Sequence, residues 1–219
     1  MNNNLISAQE EFLKGNVEKA KAICLEIVYK KNDPDVFNFL GVIELRNKNF
    51  IKSIKYLNQS LKIKPNNIKA LNNVGHLLIL NQKFNLAINF LKKAISVDKK
   101  FFSSYLNISI AFQKINKLDK SILYLEKILL IDDKNSDALN NLGKLYCDKE
   151  NYSKSLGYYK KALDNSQNEI IHNNLGLLYE RMHKFKKSQH HYESALKINP
   201  DFFDCQFNLS VLFLKIGEC

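Results

Sequence analysis

Apolar residues recur along this chain in pairs of helix-period runs. In residues 70–96, ALNNVGHLLILNQKFNLAINFLKKAIS, the first run carries Leu71, Val74, Leu77 and Leu78, and the second carries Phe84, Ala87, Ile88, Leu91, Ala94 and Ile95. The i, i+3, i+4, i+7 spacing of each run predicts an amphipathic helix. Asn81-Gln82-Lys83 between them is polar and predicts a turn. Gly75 and Ala87 fall on the apolar faces, where small side chains let two antiparallel backbones approach closely. Such a hairpin cannot bury its own apolar surface, so it has to stack on neighbours of the same kind.

The rest of the chain copies this unit. Small residues of the first helix fall at Ala8, Gly41, Gly75, Ser109, Gly143, Gly176 and Ser210, and those of the second at Ala20, Ser53, Ala87, Ser121, Ser155 and Ser188, each about 33 or 34 residues after the last. Large apolar positions keep the same register: Leu40, Val74, Ile108, Leu142, Leu175 and Leu209 precede the first small residue, and Val17, Phe50, Phe84, Leu118, Tyr152 and Phe185 open each second helix. Pro65 and Pro200 end two of the units, where a helix cannot continue.

These residues resemble the tetratricopeptide repeat family. Its pattern is met by Leu142-Gly143, Tyr146, Ser155, Tyr159 and Ala162, and again by Leu175-Gly176, Tyr179, Ser188, Tyr192, Ala195 and Pro200. Where the family usually carries Trp, this chain has Phe37, Leu71, Tyr105, Leu139 and His172. The resemblance covers essentially the whole chain and implies an all-α, right-handed α-solenoid of TPR helical hairpins. A single array over 1–219 is expected, with six repeats at about 1–33, 34–67, 68–101, 102–135, 136–168 and 169–202 and the lone first helix of a partial seventh at 203–219.

The resemblance also places the first helices along a concave groove, which turns attention to a file of asparagines. Asn73, Asn107, Asn141, Asn174 and Asn208 lie two residues before the small position of consecutive repeats, with Asn38, Asn72, Asn140 and Asn173 one residue earlier in the register. An amide offers two donors and an acceptor, so such a file can hold the backbone of an extended protein or peptide ligand without reading its sequence. The same amides can instead brace neighbouring first helices. His76 and Lys144 are expected to face the groove as ligand contacts. The ladder is similar to the groove of the repeat arm in O-linked N-acetylglucosamine transferases, which implies as an alternative that the chain is a substrate-recruiting arm of a larger glycosyltransferase-like enzyme. A dicarboxylate clamp of the kind that grips acidic chaperone tails is disfavoured, because Asp137 stands where a Lys is needed.

Composition narrows these readings. Only 7 Gly and 3 Pro fit a helical array with short connections. No stretch is apolar for the ~20 residues of a membrane span, and the start at Met1 lacks a signal-peptide pattern, so a cytoplasmic protein without membrane partners is expected. The formal charge is +11, but only Arg46 and Arg181 are arginine, and the excess is lysine in an Asn- and Ile-rich chain. Arginine is the better bidentate reader of phosphate and bases, so no specific nucleic-acid partner is expected. Cys24, Cys147, Cys205 and Cys219 show no CxxC spacing and predict reduced structural thiols.

There is no phosphate-binding glycine loop and no Gly-x-Ser-x-Gly, so neither catalytic residues nor a cofactor are expected. His183, His190 and His191 cluster in sequence, with His183 and His190 seven residues apart on one face, but no acid or thiol completes a ligand set; solvated histidines and no metal are expected. Phe203, Phe207, Leu209, Val211, Leu212, Phe213, Leu214 and Ile216 are apolar almost all round, which predicts either a longer parent protein or docking of a further domain or second copy on 203–216.

Overall fold

A computed structural model describes residues 3–217, and all regular structure among them is helical. The helices are α1 (Asn3–Leu13), α2 (Val17–Lys30), α3 (Pro34–Arg46), α4 (Phe50–Ile63), α5 (Ile68–Leu80), α6 (Phe84–Val97), α7 (Phe102–Lys114), α8 (Leu118–Leu129), α9 (Ser136–Asp148), α10 (Tyr152–Asn165), α11 (Glu169–Arg181), α12 (Phe185–Ile198) and α13 (Phe203–Ile216). The all-α solenoid of stacked hairpins is therefore present. Its contacts cluster into two compact units, 1–121 and 122–219. Unit 1 holds α1 to α7 and the first turn of α8; unit 2 holds the remainder of α8 and α9 to α13.

Many helices begin on an asparagine that satisfies their exposed N–H groups. Asn49, Asn67, Asn135, Asn151 and Asn168 each accept a bond from a backbone N–H two or three residues ahead, and Asp33 does the same for α3, with Pro34 at its first position. Most hairpin turns reverse through one left-handed residue. In unit 1 these are Gly15 (φ 88°), Lys48 (58°), Gln82 (59°) and Asn116 (57°); in unit 2 they are Glu150 (57°) and His183 (56°). Bonds such as Asn151 N to the Tyr146 carbonyl (2.8 Å) close the helix ends. His183 is thus the turn residue between α11 and α12, packed edge-on to Phe185 at 5.9 Å. That corrects its expected place on a helix face shared with His190.

The small residues do two jobs inside each hairpin. A Cβ on Gly41 would lie 2.7 Å from Leu57, one on Gly75 would lie 2.5 Å from Leu91, and one on Gly143 would lie 2.6 Å from the Tyr159 ring. The large residue of the second helix therefore rests directly on the glycine backbone of the first. Where the second small residue is serine, its hydroxyl donates to that glycine's carbonyl: Ser53 to Gly41 (2.8 Å), Ser155 to Gly143 (2.7 Å) and Ser188 to Gly176 (2.8 Å). Ser109 and Ser121 instead share a bond between their hydroxyls at 2.8 Å.

Candidate functional site

The asparagine file lies on the first helices, and within each unit it stitches successive first helices together. In unit 1, Asn73 Nδ2 on α5 donates to Asn38 Oδ1 on α3 (2.8 Å), and Asn107 Nδ2 on α7 donates to Asn72 Oδ1 on α5 (2.9 Å). Ser104 adds a second donor to Asn72 Oδ1 at 3.1 Å. In unit 2, Asn174 Nδ2 on α11 donates to Asn140 Oδ1 on α9 (2.9 Å), and Asn208 Nδ2 on α13 donates to Asn173 Oδ1 on α11 (3.0 Å). Each donor thus reaches the acceptor register one repeat back.

The two registers differ in exposure. The acceptors Asn38, Asn72 and Asn173 are buried, whereas the donors Asn73, Asn107, Asn174 and Asn208 are half-exposed. The donors' own carbonyl oxygens take part in no other bond among the described residues. Asn141 differs: Leu106 occupies the acceptor register before it, and its Nδ2 turns to the Asp137 carbonyl of its own helix (2.7 Å). His76 on α5 is half-buried, and burial lowers its pKa, which keeps it neutral at physiological pH. Lys144 on α9 is exposed.

Around this face in unit 1 lies a cavity of about 250 Å³ lined by Leu5, Ile6, Gln9, Asp35, Phe39 and Lys69 among others. Both arginines reach back one repeat. Arg46 sits 4.7 Å over the Phe12 ring and donates to the Phe12 carbonyl (3.3 Å); Arg181 donates to the Cys147 carbonyl and to Asp148, each at 3.4 Å. Each guanidinium thus ties its helix to the preceding repeat.

Unit 2 contains a histidine pair that the spacing of His183, His190 and His191 does not announce. His172 on α11 is buried, and its Nδ1 lies 3.1 Å from Nδ1 of His191 on α12. His172 Nε2 lies 3.3 Å from Gln167 Oε1, an atom that only accepts, so Nε2 carries the hydrogen, leaving Nδ1 to accept from His191 Nδ1–H. Tyr179 stacks on His191 at 5.3 Å, and His190 meets it at 5.5 Å. Burial, with His172, His190 and Lys187 nearby, pushes His191 down to about 4; burial and His190 lower His172 too.

His183 and His190 are exposed, and the expectation of solvated histidines is corrected for His191, which packs as a neutral group against buried His172. Their place explains them. Phe37 and Tyr56, also 19 residues apart, stack at 6.4 Å in the same register of unit 1. Among the described residues no group of three or more His, Cys, Asp or Glu is placed to hold a metal.

Cys24, Cys147 and Cys205 are buried free thiols; Cys219 lies outside the described residues. Burial pushes Cys24 up to about 12 and Cys205 up to about 11, and raises Cys147. No described helix is long and apolar enough to cross a membrane.

Family models described as tetratricopeptide repeat match residues 34–67, 68–101, 102–135 and 135–201. No curated protein sequence matches the chain. Among solved structures, PilW, a type IV pilus biogenesis factor, superposes with a TM-score of 0.81 at 17% identity, covering 97% of each chain. Pseudomonas aeruginosa pilF gives 0.75 at 16% identity, covering 93% of this chain and 94% of that one. A thermophilic TPR protein of Thermus thermophilus gives 0.73 at 17% identity, covering 83% and 100%. At such identities the likeness establishes the fold.

Proposed function

Because residues 34–201 make this chain a member of the tetratricopeptide repeat family, we propose that it is a protein-interaction scaffold whose first-helix face holds an extended peptide segment of a partner. A fold of this kind serves many functions, so the reading rests on the site. The observation that carries it is the capacity left after stitching: Asn73, Asn107, Asn174 and Asn208 each keep a carbonyl oxygen and a second N–H on half-exposed side chains. A peptide backbone presents the complementary N–H and C=O groups. Each such bond nets about 0.5–1.5 kcal/mol, so the ladder positions a ligand while side-chain contacts supply most of the affinity.

His76 and Lys144 are the adjacent side-chain contacts in this reading. The scaffold carries no chemistry of its own, needs no cofactor, and works in the cytoplasm, where its three buried thiols stay reduced. The substrate-recruiting arm of a glycosyltransferase-like enzyme is a special case of the same reading, with the recruited protein as ligand.

Asn141 makes the decisive test possible, since its amide stitches no neighbouring helix whereas that of Asn174 does. Affinity capture from the native lysate is compared for wild type, Asn141→Ala and Asn174→Ala. Peptide binding predicts that Asn141→Ala loses partner while its melt stays unchanged. Undiminished capture by both variants, with a lower melt for Asn174→Ala alone, would assign the ladder to bracing and remove the proposal.

A further inference from the structure

The basic excess of the chain is confined to one stretch of unit 1. Residues 45–118 carry 14 basic side chains and one acid, a net charge of +13, whereas the other 145 residues carry 19 basic side chains and 21 acids, a net charge of −2. A lysine-rich composition alone would spread the excess over the whole chain.

The second helices collect much of it on one face. Ser53, Leu57 and Ser60 of α4 and their register mates Ala87, Leu91 and Ala94 of α6 are buried, so the opposite faces of the two helices point the same way. Those faces carry Lys52, Lys55 and Lys62 on α4 and Lys92 and Lys93 on α6, all exposed, with the exposed amides Asn58, Asn85 and Asn89 between them. Lys64, Lys99 and Lys100 extend the field past the C-terminal ends. None of these eight lysines has an ion pair among the described residues. The one acid, Asp98, accepts from the Lys100 N–H at 2.8 Å. The equivalent faces of α2 and of the first turn of α8 carry Glu18, Glu26 and Asp119, so the acid-free field is two helices wide.

We infer that this face of α4 and α6 binds the phosphate backbone of double-stranded nucleic acid, independently of base sequence. Lysine is a point charge that attracts phosphate without the bidentate geometry that reads bases, and the one arginine of the stretch, Arg46, is held over Phe12. The amides between the lysines add neutral donors of the kind that bind phosphate oxygens. A protein occupant fits less well, because lysine is depleted in protein interfaces, whose anchors are aromatic side chains and arginine. A lipid surface needs several apolar side chains to enter it, and on these two helices Ile51 alone is more than half exposed. Unpaired bases need rings to stack on, and Phe50, at 39%, is the most exposed aromatic of the two helices. The face lies on second helices, apart from the asparagine file of the first helices, so its failure would leave the scaffold reading untouched.

Fluorescence anisotropy of the full chain with a labelled duplex of about 20 base pairs and arbitrary sequence tests the inference. A dissociation constant on the order of 1 µM is expected at about 50 mM salt, and roughly five phosphate contacts weaken it about 10²–10³-fold at about 200 mM. Lys55→Gln, Lys62→Gln and Lys92→Gln together should weaken binding at least about tenfold and flatten the log–log salt slope by about 3, with circular dichroism unchanged because all three side chains are exposed. Lys160→Gln, Lys161→Gln and Lys197→Gln, exposed in unit 2, remove the same charge outside the face and should change binding less than about twofold, since salt screens remote charges. A wild type that binds no duplex at the lower salt overturns the inference. So does a unit 2 variant weakened as much as the unit 1 variant, which would make the association an effect of net charge. Displacement of the duplex by poly-glutamate or by phosphatidylserine vesicles at equal charge concentration overturns it too, and would assign the face to an acidic protein segment or to a lipid surface.

Discussion

Adding one methyl group at two glycines of a single hairpin separates packing from helix propensity. Gly143 on α9 lies under the Tyr159 ring, and a Cβ there would be 2.6 Å from that ring; Gly157 in the middle of α10 has nothing within 4 Å. Alanine returns about 1 kcal/mol of helix propensity at either site. At Gly157 nothing opposes it, and Gly157→Ala is expected to stabilise by about 0.5–1 kcal/mol. At Gly143 the methyl falls about 1 Å inside ordinary contact with a ring that is only 2% exposed. Overpacking costs about 1–3 kcal/mol, and a ring without slack puts the cost toward the upper end, so Gly143→Ala is expected to destabilise by about 1–2 kcal/mol net. Urea denaturation followed by circular dichroism reads both as midpoint shifts of opposite sign, and a thermal scan adds roughly 2–4 °C per kcal/mol. A Gly143→Ala protein as stable as Gly157→Ala would refute the register of the whole array.

Acid should weaken unit 2. Burial holds His191 down to about 4 in the folded chain against 6.5 unfolded, so its contribution is complete above pH 6.5 and is lost as pH falls through 6.5 toward 4, by about 1–2 kcal/mol once solvent screening of this half-buried ring is allowed for. His172→Phe with His191→Tyr, which copies Phe37 and Tyr56, should flatten the urea midpoint between pH 7.5 and 5; a slope equal to wild type would contradict the assignment. Glu44 is buried and pairs with Lys21 at 2.8 Å. Lys21→Met should cost about 1–3 kcal/mol by leaving a buried carboxylate, while adding Glu44→Leu, the residue found at Leu78, should restore near-native stability in the same denaturation assay. Glu150→Gly relieves a left-handed glutamate and should raise the melt by about 0.5–1 kcal/mol equivalent; a lower melt would mean that the Glu150 side chain does more than turn the chain.

The hairpins were legible because small and large apolar residues recur at one period, and Gly75, Gly143 and their partners then lie where that period places them. The left-handed turn residues were not, since Lys48, Gln82 and Glu150 carry no glycine signal. The asparagines were visible as a file, but which amide donates to which depends on the rotation of each first helix, and that emerges only from stacking. The histidine pair was missed because proximity in sequence drew attention to His183, His190 and His191. The useful signal was the register itself: Tyr56, Phe90, Tyr124 and Tyr158 precede His191 at repeat spacing, and Phe37 precedes His172.

The stitches of unit 1 also bear on how such a chain can grow. Asn73 reaches Asn38 and Asn107 reaches Asn72, each across 35 residues. Excising residues 68–101, one 34-residue unit, would bring Asn107 into the position that Asn73 now holds and present it to Asn38. Inserting a second copy of those residues would add one donor and one acceptor together. Donor and acceptor thus travel together on α5, and a duplication or deletion of residues 68–101 leaves no stitching amide of unit 1 orphaned, so length can change there in a single genetic step without a compensating substitution.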